Sequence, residues 1–295
     1  DKEPLGLQGE VGDTLKMLKA RGTPLVLGLR DVMDEPALLA PEWTRKKVVP
    51  ALRDLYDQIW VYGLPQVCDP LDEIEVPQSV RRKMVFTGYL KREAKRRPTR
   101  SRGVRQFDRP YLLVTPGGGG DGEGLVDWVL KAYEFDRSAP HPALIVFGPF
   151  MQPEIQSDFM RRVARLSNVQ AITFDANIEA LMVRAAGIVA MGGYNTFCEI
   201  LSFDKPALIV PRTAPRLEQY IRARQAEQLG LVKMLVDNGR RDARTMATAL
   251  RHLPQQAAPS RIVVPGLLDG LENVNRLAAR LLESQSRPAV ALAQQ

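Results

Sequence analysis

Short apolar runs alternate along this chain with segments whose apolar residues recur at helical spacing. The segments GEVGDTLKMLKARG and EQYIRARQAEQLG, for example, have the period of amphipathic helices. The apolar runs are typical of strands buried on both faces: TPLVLGLR, QIWVYG, KMVFTGYL, RPYLLVT, PALIVFG, VQAITF, GIVAMGG and PALIVPR. The alternation predicts an α/β protein built on parallel sheets with crossover helices.

Two of the periodic segments allow finer predictions. PEWTRKKVVPALRDLYD has Pro41 at its start, where proline is favoured, and we expect Pro50 to kink the helix. GLENVNRLAARLLES is predicted to be the last helix. Its spacing places four apolar residues on one buried face: Leu271, Val274, Ala278 and Leu281.

A chain of 295 residues is long for one core, and the pattern restarts after a basic stretch. We expect a first α/β unit in residues 1–90, a basic linker in 91–109 and a second unit with about six strands in 110–265. Residues 266–285 would form a crossover helix, and 286–295 a tail. Three strands make a thin sheet with a bare edge, so we expect the first unit to be incomplete, with its beginning missing.

The composition is that of a folded protein, 45% hydrophobic and 25% charged, which argues against disorder. No apolar run reaches the roughly 18 residues that span a bilayer, and the first residues lack a signal-peptide pattern. Cys68 and Cys198 offer neither a disulfide framework nor a zinc spacing. These features predict a cytoplasmic protein.

The net charge of +7 is concentrated between Arg81 and Arg109, where twelve lysines and arginines face two acids. The stretch KREAKRRPTRSRGVR has no interleaved aromatic residues for base stacking, which disfavours nucleic acid as a partner. Two interpretations stay open: a solvated linker, and a peripheral contact with anionic lipid at the inner face of the membrane.

Ligands of open parallel sheets bind beyond the carboxyl ends of the strands, and three segments at such ends could carry chemistry. The first is the glycine loop after RPYLLVT, with Gly117, Gly118, Gly119 and Gly120. Glycines let backbone N–H groups approach a phosphate, and the following helix adds a favourable dipole. The loop lacks the strict G-x-G-x-x-G register, so a glycine-rich loop without a ligand is the alternative.

The second segment follows GIVA and opens the helix NTFCEILSF. It comprises Gly192, Gly193, Tyr194, Asn195 and Thr196. One turn into the helix, Glu199 shares a face with Asn195 and Thr196, and its carboxylate could accept from both hydroxyls of a ribose whose diphosphate rests on the helix end. The alternative is a capping box in which Glu199 serves only the backbone.

The third segment follows PALIV. Arg212 and Arg216 could donate charge-assisted hydrogen bonds to a diphosphate, and Glu218 and Gln219 could bond sugar hydroxyls. A surface loop with exposed arginines is the alternative.

The run AITFDANIEALMVRAAGIVAMGGYNTFCEILSFDKPALIVPRTAPRLEQYIRA resembles the C-terminal domain of the family 28 glycosyltransferases. That family includes the bacterial lipid II N-acetylglucosaminyltransferase and the plant-type diacylglycerol galactosyltransferases. GLRDVMDEP and VFTGYL resemble a bacterial branch of predicted glycosyltransferases. The resemblance implies the GT-B architecture, with two Rossmann-like domains facing across a cleft. The first, acceptor-side domain would be incomplete, and the second would bind the sugar donor.

The resemblance also implies roles for individual residues. The diphosphate would contact Gly193, Tyr194, Asn195 and Thr196, the ribose Glu199, the sugar Glu218 and Gln219, and the uracil the backbone at Phe174. The glycine loop at residues 117–120 matches the first glycine loop of the family's domain. The lipid II enzyme has Gln-Gln where this chain has Glu218-Gln219, which leaves the sugar open.

The activity implied is an inverting transfer of a hexose or N-acetylhexosamine from a UDP-sugar to an unidentified acceptor, with lipid-linked acceptors among the candidates. No metal or other cofactor is expected, since neither DPLDE nor DVMDE lies on a donor loop. Family members often carry a basic histidine in an N-terminal glycine loop that this chain lacks, so Asp31 is the candidate base, with a plain loop aspartate as the alternative. A non-catalytic nucleotide-sugar-binding fragment and a UDP-sugar epimerase or hydrolase remain alternative functions.

Overall fold

A computed structural model describes residues 3–94, 107 and 109–286 of the chain. Contacts between Cα atoms divide it into two compact units, one of Asp1–Lys91 with Val264–Gln295 and the other of Arg92–Val263. The predicted basic linker and tail fall largely on residues 95–106, 108 and 287–295, which lie outside the described residues. Among the helices described, none is both long and apolar enough to cross a membrane.

The first unit contains a three-stranded parallel sheet of order β1-β2-β3. Its strands are β1 (Val26–Arg30), β2 (Gln58–Tyr62) and β3 (Met84–Phe86). Its helices are α1 (Gly12–Ala20), α2 (Pro36–Arg45), α3 (Val48–Asp54), α4 (Gln78–Arg81) and the last helix of the chain, α11 (Gly270–Ser286). The core of this unit joins strand residues such as Leu29 and Ile59 to Leu39, Trp43 and Leu52 on the helices.

The prolines of the first unit act differently from the prediction. Helix α2 begins at Pro36, so that Pro41 lies inside the helix rather than at its start. The break follows at Lys47, whose φ of 51° is left-handed, and not at Pro50. Pro50 lies in the first turn of α3, where a backbone N–H has no helical partner to lose.

Helix α11 packs on the end of the β3 segment within the first unit. The Gly270 N–H donates to Tyr89 O at 3.1 Å, and Asn273 Nδ2 donates to Thr87 O at 2.7 Å. Leu271, predicted to be buried, is 55% exposed. Because Gly270 and Asn273 define the contacting face of the first turn, Leu271, about 100° further round the helix axis, points away from it.

The second unit is built on a six-stranded parallel sheet of order β6-β5-β4-β7-β8-β9. Its strands are β4 (Leu112–Thr115), β5 (Ala143–Val146), β6 (Val169–Ile172), β7 (Gly187–Ala190), β8 (Ala207–Ile209) and β9 (Lys233–Met234). Its helices are α5 (Glu123–Phe135), α6 (Pro153–Val163), α7 (Ile178–Arg184), α8 (Tyr194–Ser202), α9 (Glu218–Gln228) and α10 (Ala243–His252).

The central strands of this sheet are covered on both faces, as their continuous apolar sequences predict. Every residue of β4, β5 and β7 is buried. Complete burial of one such Val, Leu or Ile side chain contributes about 1.5–3 kcal/mol, so these strands anchor the unit. The strand order reverses between β4 and β7, which makes their carboxyl ends the topological switch point where open α/β sheets bind ligands.

Candidate functional site

The three segments selected from the sequence come together at one edge of the second sheet. Strands β4, β7 and β8 are consecutive neighbours and parallel, so the loops after them leave the sheet side by side. The segment with Phe174 joins the same edge, because the Gly148 N–H, after β5, donates to Thr173 O at 2.9 Å. The side chain of Phe174 is 60% exposed, consistent with a contribution from its backbone.

The loop after β4 depends on close backbone approach. Gly117 has a φ of 101°, and its carbonyl oxygen lies 2.5 Å from the position that a Cβ on Gly148 would occupy. Among the residues that the structure describes, none has a heavy atom within 4 Å of a Cβ built on Gly117 or Gly118, whereas one on Gly119 would meet Asp121 Oδ1 at 2.6 Å. The backbone of Gly117 and Gly118 therefore borders open space beside the switch point.

The turn after β7 leads directly into the amino terminus of α8. Gly192 has a φ of 79°, and a Cβ on it would lie 2.7 Å from Ile209 Cγ2. The N-cap is Gly193, which makes no side-chain capping bond, and a Cβ built on it would meet no heavy atom of the described residues within 4 Å. The capping box considered from the sequence is not formed, since the cap residue has no side chain. The first-turn amides at Asn195 and Thr196 are therefore left to other acceptors.

Glu199 lies one turn into α8 and is half-buried. The pKa of its carboxyl is raised to about 7, chiefly by burial and also by the nearby Glu179, while Arg92 acts to lower it. The guanidinium of Arg92 donates to Asn195 Oδ1 at 3.4 Å, and its backbone N–H donates to Ser202 Oγ at 2.8 Å. Arg92 therefore lies along α8, a placement that the sequence analysis missed because the residue is one cation in a basic stretch.

The loop after β8 is organised by Arg212. Its Nη1 donates to Asp121 Oδ2 at 2.8 Å, its Nη2 bonds Glu218 Oε1, and its backbone N–H donates to Gln219 Oε1 at 3.1 Å. The guanidinium, expected at a diphosphate, is thus paired with two carboxylates. Arg216 lies four residues further along the chain and is half-buried. It remains a candidate for contact with the diphosphate.

Arg222 was not predicted as a site residue, but it contacts the glycine turn after β7. It is 1% exposed, and its Nη1 donates to Gly192 O at 3.0 Å. Its Cζ lies 5.7 Å from the centroid of the Tyr194 ring, within cation–π range. The only sequence signal for this burial is helical spacing, since Gln219, Arg222, Ala223 and Ala226 form the buried face of α9.

Asp31, the candidate base, belongs to the first unit and has no accessible surface. Its Oδ1 accepts the Val32 N–H at 2.8 Å, and its Oδ2 accepts the Tyr89 hydroxyl at 2.7 Å. A general base must come within hydrogen-bond reach of the acceptor hydroxyl. The bond to Tyr89 joins the end of β1 to the segment after β3, and this burial disfavours Asp31 as the base, whose role stays a prediction.

In the part of the chain that the structure describes, no group of three or more His, Cys, Asp or Glu side chains could hold a metal ion.

Comparison with known proteins bears on both the domain and the fold. Residues 113–259 match the glycosyltransferase family 28 C-terminal domain. A UDP-N-acetylglucosamine--N-acetylmuramyl-(pentapeptide) pyrophosphoryl-undecaprenol N-acetylglucosamine transferase of Pseudothermotoga lettingae is 26% identical over 180 residues, covering 61% of this chain. The chain matches over about half, 47%, of the length of that relative.

The chain also resembles solved structures, and two of them illustrate the likeness. The glycotransferase of kitacinnamycin aligns with a TM-score of 0.63 and 14% identity over 92% of this chain and 73% of its own. MurG of Acinetobacter baumannii aligns with a TM-score of 0.56 and 16% identity over 92% and 71%. At these identities the likeness shows the fold, which is the predicted GT-B class with Rossmann-like parallel sheets. The resemblance stated from the sequence is thereby confirmed: residues 113–259 form a glycosyltransferase family 28 C-terminal domain.

Proposed function

We propose that this chain carries the donor site of a glycosyltransferase that moves a hexose or N-acetylhexosamine from a UDP-sugar to an acceptor hydroxyl, with inversion and without a metal. The family 28 domain supports the transferase class. The curated relative is named for a UDP-N-acetylglucosamine donor, which supports uridine diphosphate as the carrier. The acceptor is unidentified.

The observation that carries the proposal is the amino terminus of α8. Its cap is a glycine with open space in front of it, and its first-turn amides lie at the switch point of the sheet, beside the β4 glycine loop. The helix dipole and the N–H groups of the first turn favour an anion there. Glu199, one turn further into α8, would accept hydrogen bonds from the hydroxyls of a ribose attached to that diphosphate.

The chemistry follows from charge development. As the bond between the anomeric carbon and the diphosphate oxygen breaks, negative charge grows on the leaving diphosphate. The α8 amides, the Thr196 hydroxyl and the guanidinium groups of Arg92 and Arg216 would stabilise that charge. The acceptor oxygen attacks the opposite face of the anomeric carbon, which inverts it. The base that takes the acceptor's proton is unassigned, since Asp31 is enclosed.

Isothermal titration with UDP tests the donor site. Wild-type protein should bind UDP, and Glu199→Gln should weaken binding about tenfold, because a carboxylate acceptor of ribose hydroxyls is lost. Glu154→Gln is the matched control, since Glu154 is an exposed first-turn residue of α6. Absence of UDP binding at millimolar concentration would refute the proposal.

A non-catalytic nucleotide-sugar-binding module is the second candidate, because the chain matches only about half of its curated relative. Binding without transfer to any acceptor would favour that module. Release of free or epimerised sugar without added acceptor would favour a hydrolase or an epimerase.

A peripheral contact with anionic lipid is also part of the proposal. It rests on the basic sequence between Lys91 and Arg109, of which residues 95–106 and 108 lie outside the described residues. Each cation near an anionic surface contributes about 1 kcal/mol, so flotation with phosphatidylserine liposomes should fall as salt rises. Flotation that does not respond to salt would contradict an electrostatic contact.

A further inference from the structure

Arg212 contacts three side chains at the part of the site where the donor sugar is proposed to bind. Its guanidinium pairs with Asp121, in the loop after β4, and with Glu218, in the first turn of α9. Its backbone N–H bonds the Gln219 side chain. The Arg212, Asp121 and Glu218 side chains are 28%, 41% and 18% exposed, so the Arg212–Glu218 pair is the more protected one.

These contacts determine what Gln219 and Glu218 offer a ligand. Gln219 is buried, and its Oε1 is occupied by the Arg212 N–H, so the remaining amide NH₂ is a donor. Glu218 Oε1 is occupied by Arg212, whereas Glu218 Oε2 is buried without a hydrogen-bond partner among the described residues. Glu218 therefore has one acceptor oxygen to give.

A second unpaired atom lies in the same ion pair. Arg212 Nε is buried and also lacks a partner within the described residues. In a guanidinium, Nε–H and Nη2–H share one edge, and Nη2 holds Glu218 Oε1. A buried donor and a buried acceptor left unpaired are costly in a protein. A sugar hydroxyl, which both donates and accepts, would satisfy both once it displaces the groups that cover them.

We infer that Arg212 is a positioning residue for the donor sugar: by fixing Glu218 as an acceptor and Gln219 as a donor, it makes the site select a neutral hexose with adjacent hydroxyls over a uronic acid. The inference rests on the proposed function. One cation pairs with two carboxylates in this cluster, so the carboxylate of a uronic acid would meet net negative charge. Arg212 acts through its two neighbours and not on the diphosphate.

The test separates binding of the nucleotide from binding of the sugar. UDP, UDP-glucose, UDP-galactose and UDP-glucuronic acid are titrated into wild type, Arg212→Gln and Arg212→Lys. We expect Arg212→Gln to leave UDP affinity within about twofold and to weaken the tighter-bound UDP-hexose about tenfold, the effect of losing a hydrogen bond to a charged group. Arg212→Lys keeps the positive charge but loses the planar guanidinium with its two-pronged set of donors. Its affinity for the UDP-hexose should lie between those of wild type and Arg212→Gln.

Two further variants and a folding check complete this test. Arg161→Gln removes one cation from an arginine side chain that is 73% exposed on α6 and should change nothing. Glu218→Gln should reduce the wild-type preference for UDP-hexose over UDP-glucuronic acid, and thermal melts check that each variant folds. Equal losses for UDP and UDP-hexoses in Arg212→Gln would place Arg212 on the diphosphate and overturn the inference. Unchanged affinity of Arg212→Gln for the UDP-hexoses would also overturn the inference. A wild type that binds no UDP would overturn the proposed function itself.

Discussion

Thr115 and Ala190 lie opposite each other in register at the carboxyl ends of β4 and β7. Two residues after each comes a glycine with positive φ, 101° at Gly117 and 79° at Gly192. The two glycine turns therefore start side by side where the strand order reverses. We expect a diphosphate on the α8 amino terminus to lie against the backbone of the β4 loop, so that both turns bind one ligand.

The two glycines before α8 should respond oppositely to alanine. Gly192→Ala places a Cβ at positive φ and 2.7 Å from Ile209, which should cost about 2 kcal/mol of unfolding free energy. The Cβ of Gly193→Ala meets no atom of the described part of the chain within 4 Å, and φ is −56°, so stability should change by less than about 0.5 kcal/mol while the methyl group obstructs UDP. Urea unfolding and UDP titration measure both effects. Equal destabilisation by the two substitutions would contradict this prediction.

Glu199 should make stability depend on pH. Its carboxyl has a pKa of about 7 in the folded protein, raised by burial from an ordinary 4.5. Between these two values the folded state binds a proton that the unfolded state has lost, so the unfolding free energy falls as pH rises and levels off above 7. The Glu199→Gln variant has no carboxyl at this position, so its unfolding free energy does not fall in this way as pH rises. Its stability relative to wild type should rise by about 2–3 kcal/mol from pH 5 to 8.

Guanidinium unfolding at pH 5, 6, 7 and 8 measures that difference, with Glu154→Gln as the control that keeps the wild-type pH profile. A stability difference between Glu199→Gln and wild type that stays constant over this range would show that the carboxyl titrates at its ordinary pKa.

Strands that are buried on both faces could be predicted because continuous apolar sequence has few other stable placements. The run containing Leu112–Thr115 is an example, and each of its strand residues is buried. Short elements gave no such signal. Strand β9 has two residues, Lys233–Met234, and α4 has four, Gln78–Arg81, too few to show a period. Pairing with β8 defines β9, and that pairing is a tertiary contact.

The candidate site also has features that could be predicted from the sequence and others that could not. Glycines and polar residues after strands could be located from sequence, because the carboxyl ends of parallel strands meet at one edge. The partners of those residues could not. Arg92 reaches Asn195 across 103 positions, Arg212 reaches Asp121 across 91, and Arg222 reaches Gly192 across 30. Such contacts depend on the packing of whole elements, for which local spacing carries no information.

Arg222 should be a large contributor to the stability of the second unit. Arg222→Met removes a buried cation that donates to Gly192 O and lies over the Tyr194 ring, and the variant should lose about 3 kcal/mol together with UDP affinity. Arg224→Met, at an exposed position of the same helix, is the matched control and should be near neutral. Denaturation midpoints compare them. If the methionine at 222 were tolerated as well as that at 224, the support of the glycine turn by Arg222 would be disproved.

The packing of α11 within the first unit should depend on Gly270 and not on Leu271. A Cβ on Gly270 would lie 2.5 Å from Gly88 O and 2.6 Å from Tyr89 O, both backbone atoms that cannot rotate away. Gly270→Ala should therefore cost about 2 kcal/mol and speed hydrogen exchange in α11. Leu271→Ala truncates a side chain that is 55% exposed and should leave exchange unchanged. Gly12→Ala, whose nearest atom would be 3.9 Å away, is the control for glycine replacement in this unit. Faster α11 exchange in Leu271→Ala than in Gly270→Ala would mean that the helix docks through the apolar face predicted from its sequence.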